Sequence, residues 1–202
     1  MLNPLKRLAG QTAIYGLSSI IGRLLNYLLV PLYTRVFLTH EYGVVVEMYA
    51  YVAFLIVILT YGMETAFFRF SQADPGRRDT VFSTSLLSVA FTSSLFIILV
   101  IAFNEPLAAL LRYPQHPEYI TWFGIIIGLD AITAIPFARL RAENKPLKFA
   151  TIKLINIGVN IGLNLLFLLL CPWLLEHGPE SLQPYVSAVY NPEIGVGYVF
   201  IS

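Results

Sequence analysis

The stretch VFSTSLLSVAFTSSLFIILVIAF, which runs from Val81 to Phe103, contains no charged side chain. A helix needs about 20 residues to cross the ~30 Å hydrocarbon core of a bilayer, so this stretch predicts a transmembrane helix. The whole chain of 202 residues has a matching composition, with 57% hydrophobic and only 12% charged residues. An ordinary soluble domain carries about 25% charged residues. The sequence therefore predicts an integral membrane protein.

Four further apolar stretches are long enough to cross a bilayer as helices. A sixth begins at about Ile194 and stops at Ser202, which is too short to cross. We therefore expect an all-α, polytopic transmembrane bundle of five spans and the start of a sixth, and a chain that is part of something longer. The four further spans lie at about Thr12–Phe37, Val44–Phe68, Tyr119–Phe137 and Phe149–Leu170.

The basic residues near the span ends are distributed unevenly between the two sides of the predicted membrane. Cytoplasmic loops carry an excess of lysine and arginine. Nine basic residues fall on the side of the N-terminus and two on the other, so the N-terminus is predicted to be cytoplasmic. The outer segment Pro172–Glu193 has no lysine or arginine. The nine are Lys6, Arg7, Arg69, Arg77, Arg78, Arg139, Arg141, Lys145 and Lys148, and the two are Arg35 and Arg112.

Polar side chains recur at steps of three and four along the first span, which places them on one helical face. Arg23 lies near the middle of this span, where a lipid-facing charge costs at least about 2.5–3.5 kcal/mol, so we expect it to face an interior or a wet cavity. Its planar cation suits phosphate oxygens. It can equally pair with Glu47 or Asp130. The stripe consists of Thr12, Tyr15, Ser19, Arg23 and Asn26.

The fifth span carries a second polar stripe at the same helical spacing. Its lysine is about one turn from the cytoplasmic end, so it can snorkel to the interface or contact substrate. Its asparagines can bind a ligand or form hydrogen bonds between helices. Two such stripes in five spans predict a hydrated cavity. The members of the second stripe are Lys153, Asn156, Asn160 and Asn164.

Carboxylates within the spans can carry protons or cations, or can neutralise a buried arginine. Glu47 lies near the outer end of the second span and Asp130 lies within the fourth, and both are candidates for either role. Glu64, near the inner end of the second span, is expected to pair with Arg69.

Small residues and prolines within the spans predict close helix contacts and interrupted helices. Glycines four apart allow two helix backbones to approach. Proline removes a helical hydrogen bond that neighbouring groups must replace. The glycine pairs are Gly124 with Gly128 and Gly158 with Gly162, and the prolines are Pro31 and Pro136.

Several functional classes lack their sequence signatures. The motifs of zinc proteases, P-loop nucleotide-binding proteins and serine hydrolases are absent, so we expect no enzyme activity and no cofactor. The single Cys171 allows no intrachain disulfide, and His40, His116 and His177, all predicted in loops, have no metal-ligand spacing. No basic block with interleaved aromatics indicates a nucleic-acid partner.

Three segments resemble the N-terminal part of bacterial polysaccharide-biosynthesis flippases of the multidrug/oligosaccharidyl-lipid/polysaccharide exporter superfamily. They are PLYTRVFLTHEYG (Pro31–Gly43), YGMETAFFRF (Tyr61–Phe70) and LRAENKPLKFA (Leu140–Ala150). The resemblance implies two pseudo-symmetric lobes of six helices, of which residues 1–202 supply most of the first. A C-terminal lobe would then be the main partner of this chain.

The same resemblance implies a function. Members of this family move undecaprenyl-diphosphate-linked oligosaccharides across the bacterial inner membrane by alternating access. The resemblance also implies that Arg23 contacts the diphosphate, since first-helix arginines have this role in related lipid II flippases. The other expected partners of the chain are the membrane lipids that surround it. Two other functions stay open: a multidrug or small-molecule exporter of the superfamily, and a membrane-embedded polysaccharide enzyme or assembly partner.

Overall fold

The computed structural model describes residues 4–179, 183–191 and 194–201, and those residues contain helices but no strand. They form two compact units. The terminal unit comprises Met1–Val46 and Ala150–Ser202, and the central unit comprises Glu47–Phe149. Glu193 and Ser202, the predicted ends of the outer segment and of the sixth span, lie outside the described residues, as do the side chains of Lys6 and Arg7.

In the part of the chain that the structure describes, five helical segments are long and apolar enough to cross a membrane, which confirms the predicted all-α, polytopic architecture. Several run further than their hydropathy indicates, because amphipathic turns continue the helices beyond the apolar core. The second gains Arg69, the fourth gains Arg139 and Arg141, and the fifth gains Trp173. The segments are Thr12–Val36, Thr39–Ala73, Arg78–Ala102, Pro117–Ala142 and Pro146–His177.

The first span consists of two helices rather than one. Helix α1 (Pro4–Tyr27) ends in a turn, and helix α2 (Val30–Val36) begins with Pro31 in its first turn. Proline is tolerated there because the first N–H groups of a helix have no intrahelical acceptor. The predicted interruption at Pro31 is therefore confirmed. Pro136, in contrast, lies inside a continuous helix.

The second span is interrupted at a position that the sequence analysis did not predict. Helix α3 (Thr39–Thr60) stops at Tyr61 and Gly62, and helix α4 (Met63–Ala73) follows. Tyr61 has a φ of 33° and Gly62 a φ of 72°, so the chain passes through the left-handed region. Glycine adopts this region without steric cost. The first two residues of the YGMETAFFRF segment thus form the turn that separates α3 from α4.

The remaining helices of the central unit follow in short steps. A 3₁₀ turn (Pro75–Arg77) is capped by Asp74, whose Oδ1 accepts a hydrogen bond from Gly76 N at 3.1 Å. It leads into α5 (Arg78–Ala102), α6 (Asn104–Leu110) and α7 (Pro117–Ala142).

The core of the central unit lies along the contact between α5 and α7. A Cβ added at Gly124 would lie 2.5 Å from Val100 Cγ1, and one at Gly128 would lie 2.6 Å from Ile97 Cδ1. The predicted close approach at these two glycines is confirmed. The partners run in opposite chain directions, so the helices are antiparallel. Fully buried side chains continue this core, including Phe67, Val89, Ser93, Ala131, Ile135 and Ala138.

The fifth span and the segments after it belong largely to the terminal unit. The span contains α8 (Pro146–Leu165), a π-turn (Leu166–Leu170) and α9 (Cys171–His177). Gly158 and Gly162 of α8 have no atom near their Cβ positions among the described residues, so the predicted close packing at this pair is wrong for this structure. Helices α10 (Gln183–Val189) and α11 (Gly197–Ile201) complete the unit, with α10 inside the predicted outer segment and α11 at the predicted sixth span.

Candidate functional site

The two predicted polar stripes meet within the terminal unit. Lys153 of α8 donates a hydrogen bond from Nζ to Ser19 Oγ of α1 at 3.3 Å. Both side chains are half-buried. The lysine therefore reaches a hydroxyl on the neighbouring stripe.

A second contact fixes the direction in which α1 and α8 run. Gly22 of α1 is buried, and a Cβ there would lie 2.5 Å from Ile157 Cδ1 of α8. From the Ser19–Lys153 pair to this one, both chains advance in the same sense, so the two helices are parallel. This is the relationship expected of the first and fifth of five consecutive crossings. The same register sets Asn26 level with Asn160 along the pair of helices.

Arg23 and Asn26 follow Ser19 along the first stripe, and both are exposed. Within the described part of the terminal unit, neither side chain makes a hydrogen bond or an ion pair, so both are available to another group. The predicted pairing of Arg23 with Glu47 or Asp130 joins residues of different units and stays a prediction.

The three asparagines of the second stripe occupy different environments. Asn164 is fully buried, accepts a hydrogen bond from the Tyr33 hydroxyl at 2.9 Å, and donates one to Asn160 O at 3.0 Å. It packs α8 against α2. Asn160 is half-buried and Asn156 is exposed. Of the three amides, those of Asn156 and Asn160 are the better placed for a ligand.

Glu47 lies in the central unit and is engaged by two tyrosines. Its Oε1 accepts from the Tyr51 hydroxyl at 2.8 Å, and its Oε2 accepts from the Tyr113 hydroxyl at 2.6 Å. Burial, followed by the hydrogen bond to Glu47, raises the pKa of Tyr113 to about 12. Tyr113 therefore keeps its proton and remains a donor at physiological pH.

Asp130 lies on α7, two residues after Gly128. Its carbonyl accepts from Thr133 Oγ1 at 2.9 Å, and its side chain is exposed. Within the described central unit the carboxylate has no hydrogen bond or ion pair. A carboxylate in a span without a local partner suits the binding of a proton or a cation.

An ionic network at the opposite end of the central unit was not predicted. Arg139 of α7 contacts Asp79 at 2.7 Å and Glu143 at 2.6 Å, and Lys145 contacts Glu143 at 2.5 Å. The Arg139 guanidinium also lies 4.5 Å from the ring centre of Phe82. This network ties the start of α5 to the end of α7.

A further ion pair joins two of the segments on which the resemblance rests. Glu64 of α4 contacts Arg141 of α7 at 2.7 Å, so the expected pairing with Arg69 is wrong. Glu64 and Arg69 are five residues apart on one helix, whereas side chains meet at spacings of three and four. The motif RAENK contained the signal for this network, because it alternates basic and acidic side chains just after an apolar span.

The network lowers the pKa of one of its carboxylates. Hydrogen bonds from Arg139 and then Lys145 lower the pKa of Glu143 to about 2 from an ordinary value of 4.5. Glu143 is therefore ionised throughout the physiological range, and the network holds structure instead of exchanging protons.

Metal ligation has no support among the described residues, where no group of three or more His, Cys, Asp or Glu side chains could hold an ion. The histidines predicted to lie in loops differ in position: His40 lies in the first turn of α3, and His177 ends α9, whereas His116 does precede α7.

Comparison with known proteins identifies one family. The model of the family described as polysaccharide biosynthesis protein matches residues 32–175, which include all three segments from which the resemblance was drawn, apart from Pro31. No curated protein matches the chain. No solved structure matches it either.

Proposed function

The chain belongs to the polysaccharide biosynthesis protein family, and we propose that it flips undecaprenyl-diphosphate-linked oligosaccharide across the bacterial inner membrane. Membership supports a role in polysaccharide synthesis or export. The transport reaction, the alternating-access cycle and the cytoplasmic N-terminus are our proposals. A transporter fits a chain in which two of the five apolar spans found among the described residues carry a polar stripe.

The observation that carries the proposal is the Lys153–Ser19 hydrogen bond, which brings the two polar stripes side by side in one unit. One turn further along α1, Arg23 is exposed and has no partner within the described part of that unit. The guanidinium group of Arg23 and the amides of Asn26, Asn156 and Asn160 therefore lie along parallel helices, with the ammonium group of Lys153 beside them.

This set of groups suits a lipid-linked sugar diphosphate. The planar fork of Arg23 can donate two hydrogen bonds to phosphate oxygens, which Lys153 can approach as a point charge. Amide side chains donate to and accept from sugar hydroxyl groups. The apolar polyprenyl chain is soluble in the lipid and can stay there, so only the polar head group must be shielded from hydrocarbon.

Coupling to an ion gradient forms a separate part of the proposal. Of the two predicted carboxylates, Glu47 already accepts two tyrosine hydroxyls, whereas Asp130 is exposed with no partner in the described central unit. We therefore assign the coupling role to Asp130. The second lobe implied by the resemblance would complete the transport path.

Substitution of Arg23 in the full chain tests the substrate contact. Arg23→Ala should reduce surface polysaccharide at least tenfold, because the loss of even one of its two charge-assisted hydrogen bonds costs about 1.5 kcal/mol, and lipid-linked oligosaccharide should accumulate inside the cell. Arg23→Lys should retain part of the export, because it keeps the charge but loses the fork. Arg35→Ala is the matched control, since Arg35 is an exposed arginine of the same unit outside the stripe.

Other outcomes would assign a different function. Normal surface polysaccharide with equal amounts of the Arg23→Ala protein would contradict the proposal. Loss of dye extrusion without a polysaccharide defect after gene deletion would indicate a small-molecule exporter. Formation or cleavage of a bond in a lipid-linked sugar by the purified protein would indicate an enzyme.

A further inference from the structure

An apolar crevice opens between the helices of the central unit, at the end where α3 enters it, α5 ends and α7 begins. It has a volume of about 260 Å³ and is lined by apolar side chains that include Met48, Leu55, Val100 and Phe123. Gly124 lies in its wall. From Met48 to Leu55 the crevice follows α3 for roughly 10 Å, at 1.5 Å per helical residue.

A polar cleft adjoins this crevice. It has a volume of about 340 Å³ and is lined by Glu47, Tyr51, Arg112 and Tyr113 together with two leucines. Tyr51 and Leu111 line both the crevice and the cleft, so the two spaces are neighbours. An apolar surface and a polar surface thus lie side by side.

The polar cleft presents one fixed negative and one positive group. Each carboxylate oxygen of Glu47 accepts one tyrosine hydroxyl, at 2.8 Å from Tyr51 and at 2.6 Å from Tyr113. A carboxylate offers about four acceptor positions, so Glu47 retains capacity for a cationic group. The tyrosines therefore hold it in one orientation without saturating it.

The positive group belongs to a residue with an unusual backbone conformation. Arg112 has a φ of 66°, and the left-handed region costs a non-glycine residue roughly 1–2 kcal/mol. Its side chain is exposed and makes no ion pair within the described central unit. This conformation ends α6, with Tyr113 N donating to Ala108 O at 2.8 Å, and it fixes where the side chain of Arg112 leaves the backbone.

We propose that the crevice and the cleft together bind a membrane lipid with a zwitterionic head group. One acyl chain occupies the apolar crevice, the ammonium group contacts Glu47, and the phosphate contacts Arg112. An anionic lipid lacks the group that matches Glu47. A soluble head group without a chain gains nothing from the apolar crevice. This site shares no residue with the stripes of the terminal unit.

Lipid titration of the full, delipidated chain in detergent tests the proposal, with bound lipid counted by native mass spectrometry. Dioleoyl phosphatidylethanolamine should bind about tenfold more weakly to Glu47→Gln and to Arg112→Gln, since each loses one charge-assisted contact. Glu105→Gln is the matched control, because Glu105 is an exposed carboxylate of α6 outside the cleft. Leu55→Trp should weaken binding by filling the crevice.

Two further ligands separate the parts of the proposal. Dioleoyl phosphatidylglycerol should bind the unaltered chain more weakly than phosphatidylethanolamine does, and Glu47→Gln should remove that preference. Phosphoethanolamine, which has no chain, should not bind. The proposal is overturned by unchanged binding in Glu47→Gln and Arg112→Gln, by equal binding of the two lipids, or by equal binding of phosphoethanolamine. Arg35→Ala, outside both the stripes and the cleft, should leave lipid binding unchanged. Lipid binding and export are measured separately on residues that the two proposals do not share, so the failure of one proposal is distinguishable from the failure of the other.

Discussion

The α5–α7 pair and the α1–α8 pair both consist of membrane-spanning helices. The two contacts differ in the polarity of the side chains between the helices. Between α5 and α7, two glycines lie under Val100 and Ile97, and the surrounding side chains are apolar or small. Between α1 and α8, one glycine lies under Ile157, and a lysine–serine hydrogen bond lies one turn away. In the span that contains α7, 39% of an apolar stretch of 18 residues is buried, against 17% of the corresponding stretch in the first span.

This difference separates a scaffold from a surface that remains available. In lipid, helix association depends on close van der Waals packing and on interhelical hydrogen bonds, since apolar burial gives little advantage. The α5–α7 pair uses close packing and buries the side chains at its contact. The α1–α8 pair uses an interhelical hydrogen bond and leaves Arg23, Asn26 and Asn156 exposed.

The largest expected loss of stability comes from adding a side chain at Gly124, where α5 and α7 are in close contact. Gly124→Val places its Cβ 2.5 Å from Val100 Cγ1, and overpacking of this kind costs about 2–3 kcal/mol. Gly158→Ala, at an open position of α8, should leave stability unchanged or raise it by up to about 1 kcal/mol, because alanine favours the helix. Unfolding in detergent measures both.

A second substitution, at Val100, tests whether contact with this side chain causes the loss of stability in Gly124→Val. Val100→Ala removes the methyl groups that the new side chain would meet, so the double variant should recover part of the lost stability. If Gly124→Val is as stable as Gly158→Ala, the close α5–α7 contact is wrong.

An intermediate effect is expected at the hydrogen bond that packs α8 against α2. Asn164→Leu leaves the buried Tyr33 hydroxyl without this acceptor and should lower the free energy of unfolding by about 1 kcal/mol. The double variant with Tyr33→Phe should be close to the unaltered protein, because both polar groups are then gone. A double-mutant cycle in detergent measures the coupling.

The same variants test the role assigned to Asn164. Export by the double variant should be normal, since this amide packs helices. A stable double variant that cannot export would return Asn164 to the substrate-binding residues.

The smallest effect concerns pH and the ionic network. The pKa of Glu143 is lowered to about 2, so its contribution to stability is complete above pH 4.5 and is lost as the pH falls through about 2. Because its partners are partly exposed to solvent, we expect this contribution to be no more than about 1 kcal/mol. Unfolding measured from pH 5 to pH 2 should fall less steeply for Glu143→Gln than for the unaltered chain.

A matched control separates this effect from general acid destabilisation. Glu105→Gln removes an exposed carboxylate outside the network, and its slope should equal that of the unaltered chain. Equal slopes for Glu143→Gln and Glu105→Gln would contradict a stabilising network.

Hydropathy was sufficient to predict the five spans, because lipid imposes helices on any long apolar stretch. It did not reveal the turn at Tyr61 and Gly62, since both residues continue an apolar run and only the backbone angles distinguish them. Pro31 did reveal its turn, because proline interrupts a helix by its own chemistry.

The candidate site was predictable to a different degree. Helical spacing places Ser19 with Arg23 on one face and Lys153 with Asn160 on another, since one face follows from the period of the helix. It could not show that Asn164 meets Tyr33, or that Glu64 meets Arg141, because these pairs join different helices. Periodicity describes one helix at a time.

The π-turn at Leu166–Leu170 affects how the length of the fifth span can vary. The Cys171 N–H donates to Leu166 O, five residues back, so this turn holds one residue more than an α-turn would. A deletion elsewhere in α8 rotates everything after it by about 100°, given 3.6 residues per turn. Removal of one residue within the π-turn would instead restore an ordinary helix. Where family members differ in the length of this span by a single residue, the deletion should therefore fall in the π-turn. Asn164 and Cys171 should then remain on the same sides of the helix.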